Sequence, residues 1–296
     1  MKIAFLGDFK KLWNEEGIAQ AFETLGHKVL RIQEEEMFET SSEIKRIHAF
    51  NPDMVLMAKA KIACERDLFF AEMSKYLMVT WNFDLYIGLE RERFLRSDPI
   101  FRNDYVFTPD GGNGEKWAAN RISHHLLRQG IVKDFCYRGE KTEEYDVIFV
   151  GSENAQWPHR EEMCKFLAEN YNFTRFGTHK GNSVRGHDLN NLYASAKIII
   201  GDSVYSPKYW SNRIYETLGR GGFFFHSKVE GLNEDYTPGE HYIPYKLYDF
   251  DALKQKIDYY LDRPEEREKI AQAAMEHTIK HHTLENRCQR LLELVS

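Results

Sequence analysis

The sequence has no run of about 18 apolar residues, so it offers no candidate membrane-spanning helix. It has no CxxC pair. Its four cysteines (Cys64, Cys136, Cys164 and Cys288) are scattered, which argues against structural zinc and against a disulfide framework, and fits a reducing cytoplasm. It has no GxGxxG, so the dinucleotide fingerprint is missing. It also has no excess of positive charge. Lys and Arg number 40 against 46 Asp and Glu, a net charge of -6, divided as 21 against 24 in residues 1–145 and 19 against 22 in the rest. Neither half is a basic module that grips polyphosphate by bulk charge, although a local basic groove remains open. The opening segment, Met1 to Asp8, reaches a charge too soon for a signal peptide and reads as a strand.

What is present is ample core material in an alternating pattern. Of the 296 residues, 42% are apolar and 29% charged, enough for two domains with a core each. Short apolar runs at 2–7, 27–32, 54–58, 76–81 and 104–108 read as strands. Helical patterns at 15–25, 41–50, 65–75 and 115–129 lie between and after them. A second series begins near residue 145. Strands are expected at 145–151, 172–177, 196–201 and 222–226, and helices at 158–170, 187–195 and 211–220. Three more helices follow at 249–262, 264–281 and 283–295. Residues 131–144 are the polar link. Alternation of this kind predicts an α/β fold of two doubly wound parallel sheets. Ligands of such sheets bind at the carboxyl ends of the strands, which makes a cleft between the domains the expected site.

Three constellations carry possible chemistry. The first is Gly7-Asp8, where a strand ends in glycine and enters a helix through a loop that can offer N–H groups to an anion. The second is Gly151-Ser152, followed by Pro158 and Arg160. A cation in the first turn of a helix opposes the helix dipole, so Arg160 is either solvated or there to meet an anion. The third runs from Tyr209 to Gly222. Ser211 or Asn212 can cap a helix on which Arg213 and Glu216 share the first turn. An anionic leaving group near that helix start could meet Arg213, while Glu216 could accept hydrogen bonds from vicinal hydroxyls. A plain Arg213–Glu216 ion pair is the alternative.

The same stretch resembles CgeB-like glycosyltransferases, a GT-B group related to glycosyltransferase families 1 and 4. The resemblance rests on Arg213 and Glu216, the Gly221-Gly222-aromatic strand, and the Pro238-Gly239-Glu240-His241 turn. It continues through Asp249, Leu253, Ile257, Tyr259, Tyr260 and Leu261 to His282, Thr283 and Arg287. Upstream it takes in VIFVGS and Arg160, and more weakly DYVFTPDGG and WNFD. It implies a GT-B fold of two Rossmann-like domains facing a central cleft. Residues 1–140 would be the acceptor side, 145–280 would bind the nucleotide sugar, and helix 281–296 would pack back on the first domain.

The resemblance further implies an enzyme, a hexosyl- or pentosyltransferase that moves sugar from a UDP- or GDP-linked donor to an acceptor hydroxyl with no obligatory metal or other cofactor. Arg160, Arg213 and the Gly151-Ser152 turn would hold the diphosphate end of the donor and Glu216 its ribose, with Asn212 a further donor-binding residue. Relatives often carry a second glutamate eight residues earlier, but Lys208 stands there in this chain. That departure puts a retaining mechanism in doubt. An inverting reaction needs a base for the acceptor hydroxyl. Asp84 and Asp8 are the candidates, with Asp110 a third, each at the end of an expected strand.

Trp81, Phe83 and Tyr86 could stack on an acceptor, while His124-His125 and His281-His282 are expected in helices. The acceptor is open: a glycan, a small molecule or DNA, since residues 85–138 hold nine Lys and Arg against seven acids. The alternatives are a viral-type DNA glycosyltransferase, a GT-B-like protein that binds nucleotide or sugar without turnover, and a periplasmic-type binding protein. The last of these fits poorly with the signal-free start.

Overall fold

The computed structural model describes residues 1–34, 40–58, 66–151, 158–177 and 183–296. Two compact units emerge: Met1–Val132 with Leu284–Ser296, and Lys133–Thr283. Unit 1 runs β1 (Lys2–Gly7), α1 (Asn14–Thr24), β2 (Lys28–Gln33), α2 (Thr40–Phe50), β3 (Met54–Ala58), α3 (Arg66–Met73) and β4 (Leu77–Trp81). Two 3-10 turns at Glu90–Leu95 and Pro99–Arg102 lead to β5 (Tyr105–Thr108), α4 (Gly114–Ala119) and β6 (His124–Leu126). All six strands are parallel, in the order β2-β1-β3-β4-β5-β6.

The two-residue period of β1 puts Ala4 and Leu6 on one face with Val55, Met57 and Trp117, and Ile3 and Phe5 on the other with Ile18, Phe22 and Leu56. Both faces are covered, which is why β3 is buried along its whole length.

Unit 2 repeats the plan. It runs β7 (Tyr145–Val150), α5 (Pro158–Asn170), β8 (Phe173–Phe176), α6 (Gly186–Ala194), β9 (Ala196–Gly201), α7 (Arg213–Gly219) and β10 (Phe224–Ser227). The short α8 (Leu232–Asp235) and β11 (Ile243–Tyr245) follow, then α9 (Phe250–Leu261) and α10 (Pro264–His281). The order β11-β10-β9-β7-β8 is again all parallel. Renumbered within its own unit it reads 2-1-3-4-5, the same as the first five strands of unit 1. The last helix, α11 (Leu284–Val295), belongs to unit 1. Leu284, Cys288 and Leu291 recur at helical spacing and pack against the cluster that holds Ile18 and Phe22.

One expected helix is broken. Residues 115–129 do not form a single helix: α4 stops at Ala119, and Arg121 adopts a left-handed φ of 58°. The chain then extends to pair β6 with β5. His124 and His125 therefore lie in a strand. There His124 stacks on Trp117 with centroids 4.6 Å apart, and its Nε2 meets Thr108 Oγ1 at 2.8 Å.

Candidate active site

In a 2-1-3-4-5 sheet, strands 1 and 3 are neighbours whose connections leave to opposite sides. A crevice opens at their carboxyl ends. In unit 2 these strands are β7 and β9, and the residues just past them are Gly151 and Asp202.

Asp202 is the centre of a buried ion cluster. Its side chain has 0% exposure. Oδ1 accepts from Arg160 Nη2 at 2.7 Å and Arg213 Nη1 at 3.0 Å. Oδ2 accepts from Arg160 Nε at 2.9 Å and pairs with His159 Nε2 at 2.8 Å. Burial opposes the charge on Asp202. The His159 hydrogen bond and the two guanidiniums outweigh that and hold the carboxyl well below the usual carboxylate range.

Arg213 also ties the two strands together. Its Nε donates to Val150 O at 2.7 Å, and Nη1 donates to the Asp202 carbonyl at 2.8 Å. The guanidiniums of Arg213 and Arg160 lie 4.8 and 5.1 Å from the Phe149 ring centroid. Two glycines make room. A Cβ on Gly151 would stand 2.6 Å from Arg213 Nη2 and 2.9 Å from the Phe149 ring. One on Gly201 would stand 2.5 Å from Phe224 and 3.2 Å from Arg213 Cδ. Burial pushes Arg213 below the usual guanidinium range; Asp202 pulls it back and Arg160 opposes that pull. Among the described residues, two buried cations thus share one carboxylate.

The α7 end of the site differs from its sequence expectation. Ser211 and Asn212 give no side-chain cap. Asn212 has a helical φ of -57°, and its Nδ2 faces Glu216 Oε1 at 3.4 Å. Glu216 does not pair with Arg213. Its Oε2 accepts from Arg220 Nη2 at 2.7 Å, one helical turn later. Arg220 is itself 2% exposed and tied to Gly186 O and Asn190. Oε2 is thus anchored from behind, and Oε1 is left with the long Asn212 contact.

The segment before α7 is fixed by His226. Its Nδ1 faces the Ser227 carbonyl at 2.7 Å and so carries the proton. Its Nε2 then accepts from Ser203 Oγ at 3.2 Å, and Ser203 Oγ accepts from Ser211 N at 3.0 Å. Lys208, with a left-handed φ of 52°, has its Nζ 3.6 Å from Glu234.

The structure thus brings Gly151, Arg160 and Arg213 together and sets Asn212 against Glu216. Ser152 lies outside the described residues. Asp202 and His159 were missed by the sequence reading. The one signal for Asp202 was a strand ending in Gly-Asp, the pattern already noted at Gly7-Asp8.

In unit 1 the three candidate carboxylates differ. Asp8 is 5% exposed, with Oδ1 on Gln33 Nε2 at 3.0 Å and Oδ2 on Lys10 Nζ at 2.9 Å. Burial works against its charge, but those bonds lower its pKa. Asp110 is fully buried and binds Asn113, Trp117 Nε1 and Gly112 N, so it holds a turn. Asp84 follows β4 with 27% side-chain exposure, and its Oδ2 meets Arg91 at 2.9 Å.

The aromatics around Asp84 do not form a stacking platform. Trp81 and Phe83 are core residues at 0% and 8% exposure, and Tyr86 packs edge-on against Phe101. His281 ends α10, whereas His282 is its buried C-cap, 3.3 Å from His277. Among the described residues no three His, Cys, Asp or Glu side chains converge as a metal site, and no helix is long and apolar enough to cross a membrane.

The family described as glycosyl transferase-like matches residues 128–293, more than half of the chain. The chain belongs to that family. Solved glycosyltransferase structures share the fold end to end. HepE of Anabaena, in complex with UDP and glucose, superposes with a TM-score of 0.68 at 11% identity, over 100% of this chain and 99% of its own. A glycosyltransferase from Rickettsia africae gives 0.65 at 15% identity, over 99% and 97%. Sucrose-phosphate synthase from Thermosynechococcus elongatus gives 0.65 at 12% identity, over 99% and 98%. No curated protein sequence matches the chain. The α/β architecture of this glycosyltransferase, with its two parallel sheets, is therefore that of GT-B enzymes.

Proposed function

We propose that unit 2 of this glycosyltransferase binds a nucleoside diphosphate sugar at the β7/β9 switch point. The observation that carries this reading is the Asp202 cluster: two buried guanidiniums sharing one carboxylate at the strand ends where such sheets bind ligands. Arg213 and Arg160 take the diphosphate and stabilise the charge that grows on it as the glycosidic bond breaks. Gly151 lies beside the same phosphates, and Ser152, outside the described residues, stays a candidate from the sequence. Glu216 takes the ribose hydroxyls through Oε1, with Asn212 beside it.

The guanidiniums supply the charge neutralisation, so a metal has no part in this reading. The HepE complex contains UDP and glucose, which favours UDP as the first nucleotide to test, with GDP the second. CgeB-like enzymes are the subgroup we favour, on the Arg213-to-Arg287 motif series.

Asp84 is our candidate for the base that takes the acceptor hydroxyl proton. It is more exposed than Asp8 or Asp110, both of which are buried. Units 1 and 2 would then be the acceptor and donor domains, with a sugar, a small molecule or a modified base in DNA as acceptor and the cytoplasm as the working compartment. Thermal shift with UDP, GDP and UMP tests the donor reading. Diphosphates should raise the melting temperature more than UMP does. No shift with any nucleoside diphosphate would refute it.

A further inference from the structure

Asp202 did not stand out in the sequence, and its geometry rules it out of the chemistry. Each oxygen of a carboxylate offers about two acceptor directions. All four are filled here, by Arg160 twice and by Arg213 and His159 once each. A carboxylate so saturated and so strongly held as an anion can neither accept a proton nor reach a ligand. We infer that Asp202 is a positioning residue: it aligns the two phosphate-binding guanidiniums while offsetting only one of their two charges.

The physical case rests on three facts. Two buried guanidiniums close enough to stack on one Phe149 ring repel each other, and among the described residues Asp202 is the acid that pairs with both. Without Asp202 one of them would swing away. Second, the bonds to Asp202 and Val150 take Nε and Nη1 of Arg213. They leave Nη2 on the side of Gly151, where any side chain would collide with it. Third, Arg160 meets Asp202 through Nε and Nη2, a two-point contact that fixes the plane of the fork.

This inference rests on the donor reading above, and the experiment separates the two. UDP affinity by calorimetry, and kcat and KM with a UDP-sugar donor, are measured for wild type, Asp202→Asn, Arg160→Gln and the charge-compensated pair Asp202→Asn with Arg160→Gln. In Asp202→Asn the UDP dissociation constant should rise about tenfold, and kcat should fall about 100-fold, more than KM rises. Misaligned cations fail mainly as leaving-group charge develops.

The pair removes the cation–cation repulsion and so should recover thermal stability, yet it should bind UDP more weakly than Arg160→Gln alone, because Arg213 has lost the carboxylate that aligns it. A role in stability alone predicts that the pair binds UDP as Arg160→Gln does, and that result would overturn the inference. So would wild-type kinetics in a folded Asp202→Asn. If that variant does not fold, the pair against Arg160→Gln decides: weaker UDP binding in the pair supports positioning and equal binding refutes it. Should wild type itself fail to bind UDP, the donor reading fails first.

Discussion

Lowering the pH from 7.5 to 5.0 should destabilise unit 2 by about 2 kcal/mol through one residue, His226. Its ring is fully buried in β10, and burial pushes its pKa down to about 4 from 6.5. The folded pKa lies below the unfolded one, so the unfolded chain takes up the proton first. Stability is intact above about 6.5, falls as the pH drops, and stops falling below about 4, for a total near 3 kcal/mol. By pH 5.0 the unfolded imidazole is almost wholly protonated and the folded one hardly at all, which accounts for about 2 kcal/mol. Protonation would also force an N–H against Ser203 and disturb the relay to Ser211 N at the start of the α7 segment. Urea unfolding of wild type and His226→Asn at the two pH values, followed by tertiary probes in unit 2, isolates the effect. Asparagine weakens unit 2 at every pH, but only wild type should carry the extra 2 kcal/mol of pH sensitivity. Equal pH sensitivity in the two proteins would refute the reasoning.

Other substitutions probe the site directly. Gly151→Ala drives a methyl into Arg213 Nη2 and the Phe149 ring; it should cost about 1–3 kcal/mol of stability as overpacking and weaken UDP binding in calorimetry. Glu216→Ala should weaken UDP by about 1.5–3 kcal/mol, the worth of a charged hydrogen bond; unchanged affinity would remove Glu216 from the ribose site. Asp84→Asn should abolish transfer while leaving UDP affinity at the wild-type value, and transfer at the wild-type rate would end its assignment as base. The two guanidiniums proposed to hold the diphosphate are buried, so raising salt from 50 to 500 mM should change UDP affinity only a few-fold. A steep log–log salt dependence, read by the same titration, would mean that exposed charge does the binding.

Most of the fold was legible because strand and helix periods alternate cleanly in the sequence. β1, β3, β7 and β9 are short apolar runs, and burial on both faces keeps their central residues apolar. The segment after Ala119 was not legible. Its residues suit a helix, but pairing with the open edge of β5 overrides propensity, and His124 gains a stacked Trp117 and a Thr108 bond in exchange. At the site, Arg160, Arg213 and Glu216 stood out by residue type and position. Their partners did not, because ion pairing in three dimensions ignores sequence spacing. Arg213 and Glu216 sit three apart, yet they bond to Asp202 and Arg220 instead.

The even, mildly acidic charge of the two halves excluded a protein that binds phosphate by bulk attraction, and the Asp202 cluster shows how a placed site can work without it. Coulomb energy scales inversely with the local dielectric, so one uncompensated charge in a buried cluster outweighs several in water. That advantage depends on the cations staying inside without a ligand, which two bare guanidiniums would not do. A carboxylate that offsets one of them lets both guanidiniums stay buried. The strand-ending Gly-Asp after β9 supplies both requirements in two residues: the glycine lets Phe224 and Arg213 close in, and the aspartate holds the arginines. The same dipeptide after β1 does not have this role, because Asp8 meets one exposed lysine and a glutamine in place of two buried arginines. Thus the same local sequence at the same place in two like sheets yields a cationic cluster in unit 2 and a neutralised turn in unit 1, and the side chains brought in by the neighbouring elements decide which.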